Sequence, residues 1–170
     1  MEKKKFIRKV CLLGDGGVGK TSLVRRYVED VFNDSYIISF GTKVSKKVID
    51  LGGTELTLMI WDILGQKSDD ALHAAYYRGA NGALLVGDQT RPESMRHLVK
   101  WKEDFIKVCP DAKIVAAANK SDLEGAMDAN EIQELAQALG VRFIRSSAKT
   151  GEGVEELFIQ LGKSITEGSK

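Results

Sequence analysis

Gly14-Asp15-Gly16-Gly17-Val18-Gly19-Lys20-Thr21 has the spacing G-x-x-x-x-G-K-[ST], and those residue types suit the binding of phosphate. Glycines let successive backbone N–H groups turn toward one point, and a helix starting there adds the positive end of its dipole. The Lys20 ammonium can neutralise β- and γ-phosphate oxygens, and the Thr21 hydroxyl can be a ligand to Mg²⁺. Further along stands Trp61-Asp62-Ile63-Leu64-Gly65-Gln66. There the Asp62 carboxylate can hold the magnesium through water, the Gly65 amide can sense a γ-phosphate, and Gln66 can position an attacking water. Together these residues predict chemistry on a nucleoside triphosphate.

Two later clusters address the base. In Asn119-Lys120-Ser121-Asp122, the Asp122 carboxylate can accept hydrogen bonds from the N1–H and 2-amino groups of guanine. Adenine lacks both donors and would leave a desolvated carboxylate unpaired, a penalty of about 1–3 kcal/mol or more. Lys120 would lay its aliphatic stem along the ring. In Ser146-Ser147-Ala148-Lys149, the Ala148 N–H can reach guanine O6 and Lys149 can pack over the base. Either cluster alone reads equally well as a polar loop; their order along the chain, each at a strand end, favours a guanine pocket.

The elements that must position these groups alternate along the chain. Residues 6–13, 42–50, 54–62, 83–86, 113–118 and 141–145 read as strands, the second and third joined by Leu51-Gly52-Gly53 as an antiparallel hairpin. Val44, Val48, Leu56, Leu58 and Ile60 supply its period-two spacing. Helical spacing follows in residues 21–28, after capping boxes at Thr90-x-x-Glu93 and Asp128-x-x-Glu131, and in Val154, Leu157, Phe158, Leu161 and Ile165. The pattern predicts one α/β domain over residues 1–170: a mostly parallel sheet with helices on both faces, whose ligands sit at the carboxyl ends of the strands.

Composition narrows the class. The 170 residues carry 25 basic and 24 acidic side chains, a formal net charge of +1, which argues against a dedicated nucleic-acid binder. No apolar stretch approaches the roughly 20 residues that span a bilayer. Cys11 and Cys109 have neither disulfide-framework nor metal-ligand spacing and read as reduced thiols, while His73 and His97 read as ordinary rather than zinc-binding histidines. Arg78 and Arg91 read as surface or structural residues.

With these motifs in place, the chain resembles the Ras superfamily of small GTPases from about Lys5 to Thr166. Within it the chain is most similar to the Rab branch, through Gly41 after Tyr36, the tryptophan before Asp62 and the run Tyr76-Tyr77-Arg78-Gly79-Ala80. The resemblance implies a P-loop NTPase fold with a six-stranded sheet, one antiparallel pair and five helices. It implies Mg²⁺ as cofactor with GTP or GDP, and phosphate contacts along Gly16, Gly17, Val18, Gly19, Lys20, Thr21 and Ser22. It also implies that Phe32 stacks across the guanine edge, that Tyr36 covers the phosphates, and that residues 32–41 and 62–77 are switch I and switch II. Effectors, activating proteins and exchange factors would engage those two segments.

Departures are specific. Ser39 stands where the family has a threonine that binds Mg²⁺ and the γ-phosphate; its hydroxyl preserves the role. Ile63, Leu64 and Lys67 depart from the family's switch II, and Leu64 is expected to hold that segment away from its hydrolysing position. The chain ends Ile165-Thr166-Glu167-Gly168-Ser169-Lys170, without a prenylation cysteine. No membrane anchor within this chain and a cytoplasmic location are expected; either a lipidated tail has been removed or the native protein has none, and the latter would suit a prokaryotic Rab-like protein. The expected activity is a guanine-nucleotide switch that slowly hydrolyses GTP. Its rivals are a GTP-binding interaction module without hydrolysis and a P-loop ATPase or small-molecule kinase.

Overall fold

The computed structural model describes residues 2–29, 41–64, 70–124 and 127–167. Its elements run β1 (Lys4–Leu13), α1 (Lys20–Glu29), β2 (Gly41–Asp50), β3 (Thr54–Leu64), α2 (Asp70–Tyr77), β4 (Gly82–Asp88), α3 (Pro92–Arg96), α4 (Leu98–Val108), β5 (Lys113–Asn119), α5 (Ala129–Leu139), β6 (Arg142–Arg145) and α6 (Val154–Glu167). The strands form one sheet in the order β2-β3-β1-β4-β5-β6. Only β2 and β3 are antiparallel, paired from Gly41 opposite Leu64 to Asp50 opposite Glu55. The hairpin closes where Leu51 N–H donates to the Thr54 carbonyl, with Gly52 at φ +89°.

Alternation along β1 sends side chains into two cores. Val10 and Leu12 join Leu56, Leu58 and Ile60 against Leu23 of α1 and Leu157, Phe158 and Leu161 of α6. Cys11 and Leu13 face the other way, with Ala83 and Leu85, against Tyr76 and Tyr77 of α2 and Phe105 of α4. β4 is buried along its whole length, which is why its sequence is apolar without alternation. Both cysteines are free and buried; burial pushes the Cys11 thiol up to about 12, leaving it inert at neutral pH.

Three details correct or sharpen the sequence reading. Val44 and Val48 are 42% and 48% exposed, because β2 is an edge strand and its inward side chain is Ile49. Thr90 makes no capping box: Pro92 fixes the helix start, Arg91 takes the cap position without a side-chain bond, and the Thr90 hydroxyl donates to Asp88. The third helix expected for the family is divided at His97 into α3 and α4.

The other capping box forms as expected. Asp128 accepts from Glu131 N–H at 2.8 Å, Glu131 accepts from Asp128 N–H, and Gly140 ends α5 in the left-handed region. Asp128→Ala is expected to destabilise the fold by about 1 kcal/mol. Equilibrium unfolding would register this as a lower midpoint at unchanged slope.

Candidate functional site

The phosphate motif occupies the turn between β1 and α1, and its glycines answer specific constraints. A Cβ on Gly14 would lie 2.2 Å from the Val86 carbonyl oxygen, and one on Gly19 would lie 2.4 Å from Asn119 Nδ2. Both also have positive φ, +152° and +103°, so a side chain at either position is excluded twice. Lys20 is 8% exposed and folds back over the loop, its Nζ donating to the carbonyls of Gly14 at 2.6 Å and Asp15 at 3.1 Å. Burial, with only partial compensation by Asp62 and Asp15, lowers its pKa to about 8. A buried ammonium held by carbonyl oxygens at a helix N-terminus is set up for an anion.

Beneath the loop, the Thr21 hydroxyl donates to Asp62 Oδ2 at 2.6 Å. Asp62 is 2% exposed, and burial raises its carboxyl above the ordinary range against the Thr21, Lys20 and Lys43 contributions. Among the described residues, its Oδ1 is buried without a hydrogen-bond partner. Such an orphaned oxygen costs about 1–3 kcal/mol or more if nothing meets it. With a neighbouring hydroxyl it forms the hard, oxygen-rich donor set that Mg²⁺ takes. Ser39, the other residue expected at the metal, lies outside the described residues, as do Phe32, Tyr36, Gly65, Gln66 and the side chain of Leu64.

The base-side residues gather at the ends of β5 and β6. Asn119 Nδ2 donates to the Val18 carbonyl at 2.8 Å and Asn119 Oδ1 accepts from Ser146 Oγ at 3.0 Å. Lys120 Nζ donates to the Gly17 carbonyl at 2.9 Å, reaching it from a left-handed backbone at φ +66°. Asp122 is exposed, with one oxygen accepting from Ser147 Oγ at 2.7 Å. Ala148 is buried, and Lys149 is exposed beside it. Thus Gly16–Ser22, Asp62, Asn119–Asp122 and Ser147–Lys149 come to the carboxyl ends of the strands.

Five contacts escaped sequence reasoning. Asp15 accepts from Trp101 Nε1 at 2.9 Å and lies 2.5 Å from His97 Nδ1, tying the loop to the α3–α4 junction. Arg91 donates to the Gly16 carbonyl at 2.8 Å. Asp88, at the end of β4, pairs with both Arg91 and Lys120. The available signal for Asp88 was its place: a carboxylate closing an apolar strand, as Asp62 does.

A phosphate loop braced by an Asn-Lys-Ser-Asp turn on this sheet defines the class, a guanine-nucleotide-binding P-loop protein. The Ras family model matches residues 9–167. The chain is similar to the Ras-related protein SEC4 of Saccharomyces cerevisiae, 39% identical over 163 residues covering 95% of this chain and 76% of that protein. It is 35% identical to Ras-related protein Rab-1D of Dictyostelium discoideum, covering 94% and 80%. With Ras-related protein Rab-21 of Mus musculus it shares 39% identity, covering 94% and 73%. The chain belongs to the Ras family and is Rab-like, a molecular switch that binds and hydrolyses GTP. A module without hydrolysis is not favoured. No helix among the described residues is long and apolar enough to cross a membrane.

Proposed function

We propose that residues 1–170 act as one G domain in which the chain's own motifs divide the work on GTP. Gly16–Ser22 hold the phosphates; Asp122, Lys120, Ala148 and Lys149 hold guanine; Asn119 and Ser147 brace the pocket. Phe32 and Tyr36 close over the nucleotide from switch I. Water oriented by Gln66 attacks the γ-phosphorus as its bond to the bridging oxygen breaks, yielding GDP and inorganic phosphate. Lys20, the loop amides and the Gly65 amide stabilise the charge gathering on the phosphate oxygens. Mg²⁺, for which Thr21, Ser39 and Asp62 are the ligands or water-mediated ligands, would neutralise β- and γ-phosphate charge.

Residues 32–41 contain no arginine, so the intrinsic reaction is slow and a partner supplies the missing cation or fixes Gln66. Effectors, activating proteins and exchange factors engage residues 32–41 and 62–77. One observation carries the assignment: Asn119 and Lys120 bond directly to the carbonyls of Val18 and Gly17, joining base recognition to the phosphate loop. Single-turnover phosphate release by the purified protein tests it. Hydrolysis is expected at a rate on the order of 10⁻⁴–10⁻³ s⁻¹, lost on magnesium chelation, with GDP but not ADP displacing bound nucleotide. Equal displacement by ADP would refute the base assignment.

A further inference from the structure

Asp88 closes β4 at 1% exposure, and each of its oxygens is fully engaged. Oδ1 accepts from Thr90 N–H at 2.9 Å and Thr90 Oγ1 at 2.6 Å. Oδ2 accepts from Lys120 Nζ at 2.8 Å and Arg91 Nε at 3.2 Å. Burial opposes its charge, but the bonds from Lys120 and Thr90 prevail and hold the carboxyl below its ordinary range.

Both cations reach onward to neighbouring carbonyls of the phosphate loop: Arg91 Nη2 to Gly16 at 2.8 Å and Lys120 Nζ to Gly17 at 2.9 Å. Asn119 takes the next carbonyl, that of Val18. A trans peptide unit points its C=O and its N–H in opposite directions. Securing the carbonyls of Gly16, Gly17 and Val18 from the β4–β5 side therefore turns the N–H groups of Gly17, Val18 and Gly19 the other way, into the loop. Arg91 holds the first of these three peptide planes. Its guanidinium suits the task because Nε meets Asp88 while Nη2, further out on the same rigid fork, reaches Gly16; Lys120 makes its own bridge from Asp88 to Gly17 with one ammonium.

We propose that Asp88 and Arg91 are positioning residues for the phosphate cradle, Asp88 aiming Arg91 and Lys120 at consecutive loop carbonyls so that three amides converge on the nucleotide. The proposal rests on the loop Gly14–Thr21 being the phosphate site, and GDP binding by the unaltered protein checks that reading first. Arg91 is 40% exposed, so its variants test positioning with little risk to the core.

The measurements are the dissociation rate of a fluorescent GDP analogue in magnesium and the ³¹P spectrum of bound GDP. Arg91→Ala is expected to speed release about tenfold or more, as suits loss of a charge-assisted hydrogen bond. The β-phosphate resonance should shift, while preference for guanine over xanthine nucleotide stays unchanged. Arg91→Lys, which keeps the charge but puts one nitrogen where Nε and Nη2 reach Asp88 and Gly16 separately, is expected to remain closer to Arg91→Ala than to the parent. Asp88→Asn should speed release further, because it loosens Lys120 as well. If the unaltered protein binds GDP, yet Arg91→Ala releases it at the parental rate with an unmoved ³¹P signal, the proposal is overturned whatever becomes of Asp88→Asn. Full recovery by Arg91→Lys would equally overturn the bridging role.

Discussion

Lys20→Ala is expected to weaken GDP binding by about ten- to a hundredfold, the loss of its charge-assisted β-phosphate contact worth roughly 1.5–3 kcal/mol. The structure explains why no neighbour can substitute. Lys20 is the cation buried inside the loop, held by the Gly14 and Asp15 carbonyls. Arg91 and Lys120 approach the loop from the outside and spend their donors on Gly16 and Gly17. Titration with a fluorescent GDP analogue in excess magnesium measures the loss directly. A change smaller than about tenfold would mean that the phosphates do not sit over this ammonium.

Asp122→Asn should produce a change of kind as well as of size. Guanine presents two donors to the carboxylate; an amide offers one acceptor and one donor group, and so meets one of them badly. Mispairing a buried polar edge carries the penalty that makes hydrogen-bonded specificity steep, so GDP affinity should fall by about a hundredfold or more. Xanthine carries a 2-oxo group where guanine has its amine, and the asparagine N–H can donate to it. Xanthosine diphosphate should then bind more tightly than GDP, a reversal read by competition in one titration. Ser147 reaches position 122 through a carboxylate oxygen that the amide retains, so the turn itself should survive the substitution. GDP affinity within about threefold of the parent would remove Asp122 from the base pocket.

Much of this architecture was legible because it is local. The glycine loop, the strand before it and the helix after it are contiguous, and backbone geometry alone ties their residue types to a phosphate. Asp128, Glu131 and Gly140 spell out one helix from cap to cap for the same reason. Other features depend on which strands become neighbours. Val44 and Val48 carry the alternation of a half-buried strand, yet lie exposed because β2 is the edge of the sheet. Thr90 and Glu93 have capping-box spacing, but a buried carboxylate two residues upstream claims the threonine. Asp15, His97 and Trp101 meet only after the chain has folded across β4. Ser39 and Gln66 take their proposed roles from their place in the sequence.

The bonds from Asn119 to Val18 and from Lys120 to Gly17 join residues 101 and 103 positions apart. At the usual pace of translation, about 5–20 residues per second, the phosphate loop leaves the ribosome on the order of 5–20 seconds before the residues that brace it. Throughout that interval the nascent chain carries the loop without its bracing. Capture of nucleotide is thus a late event in the birth of this protein, and a chain that stalls before β5 has no means of completing the pocket.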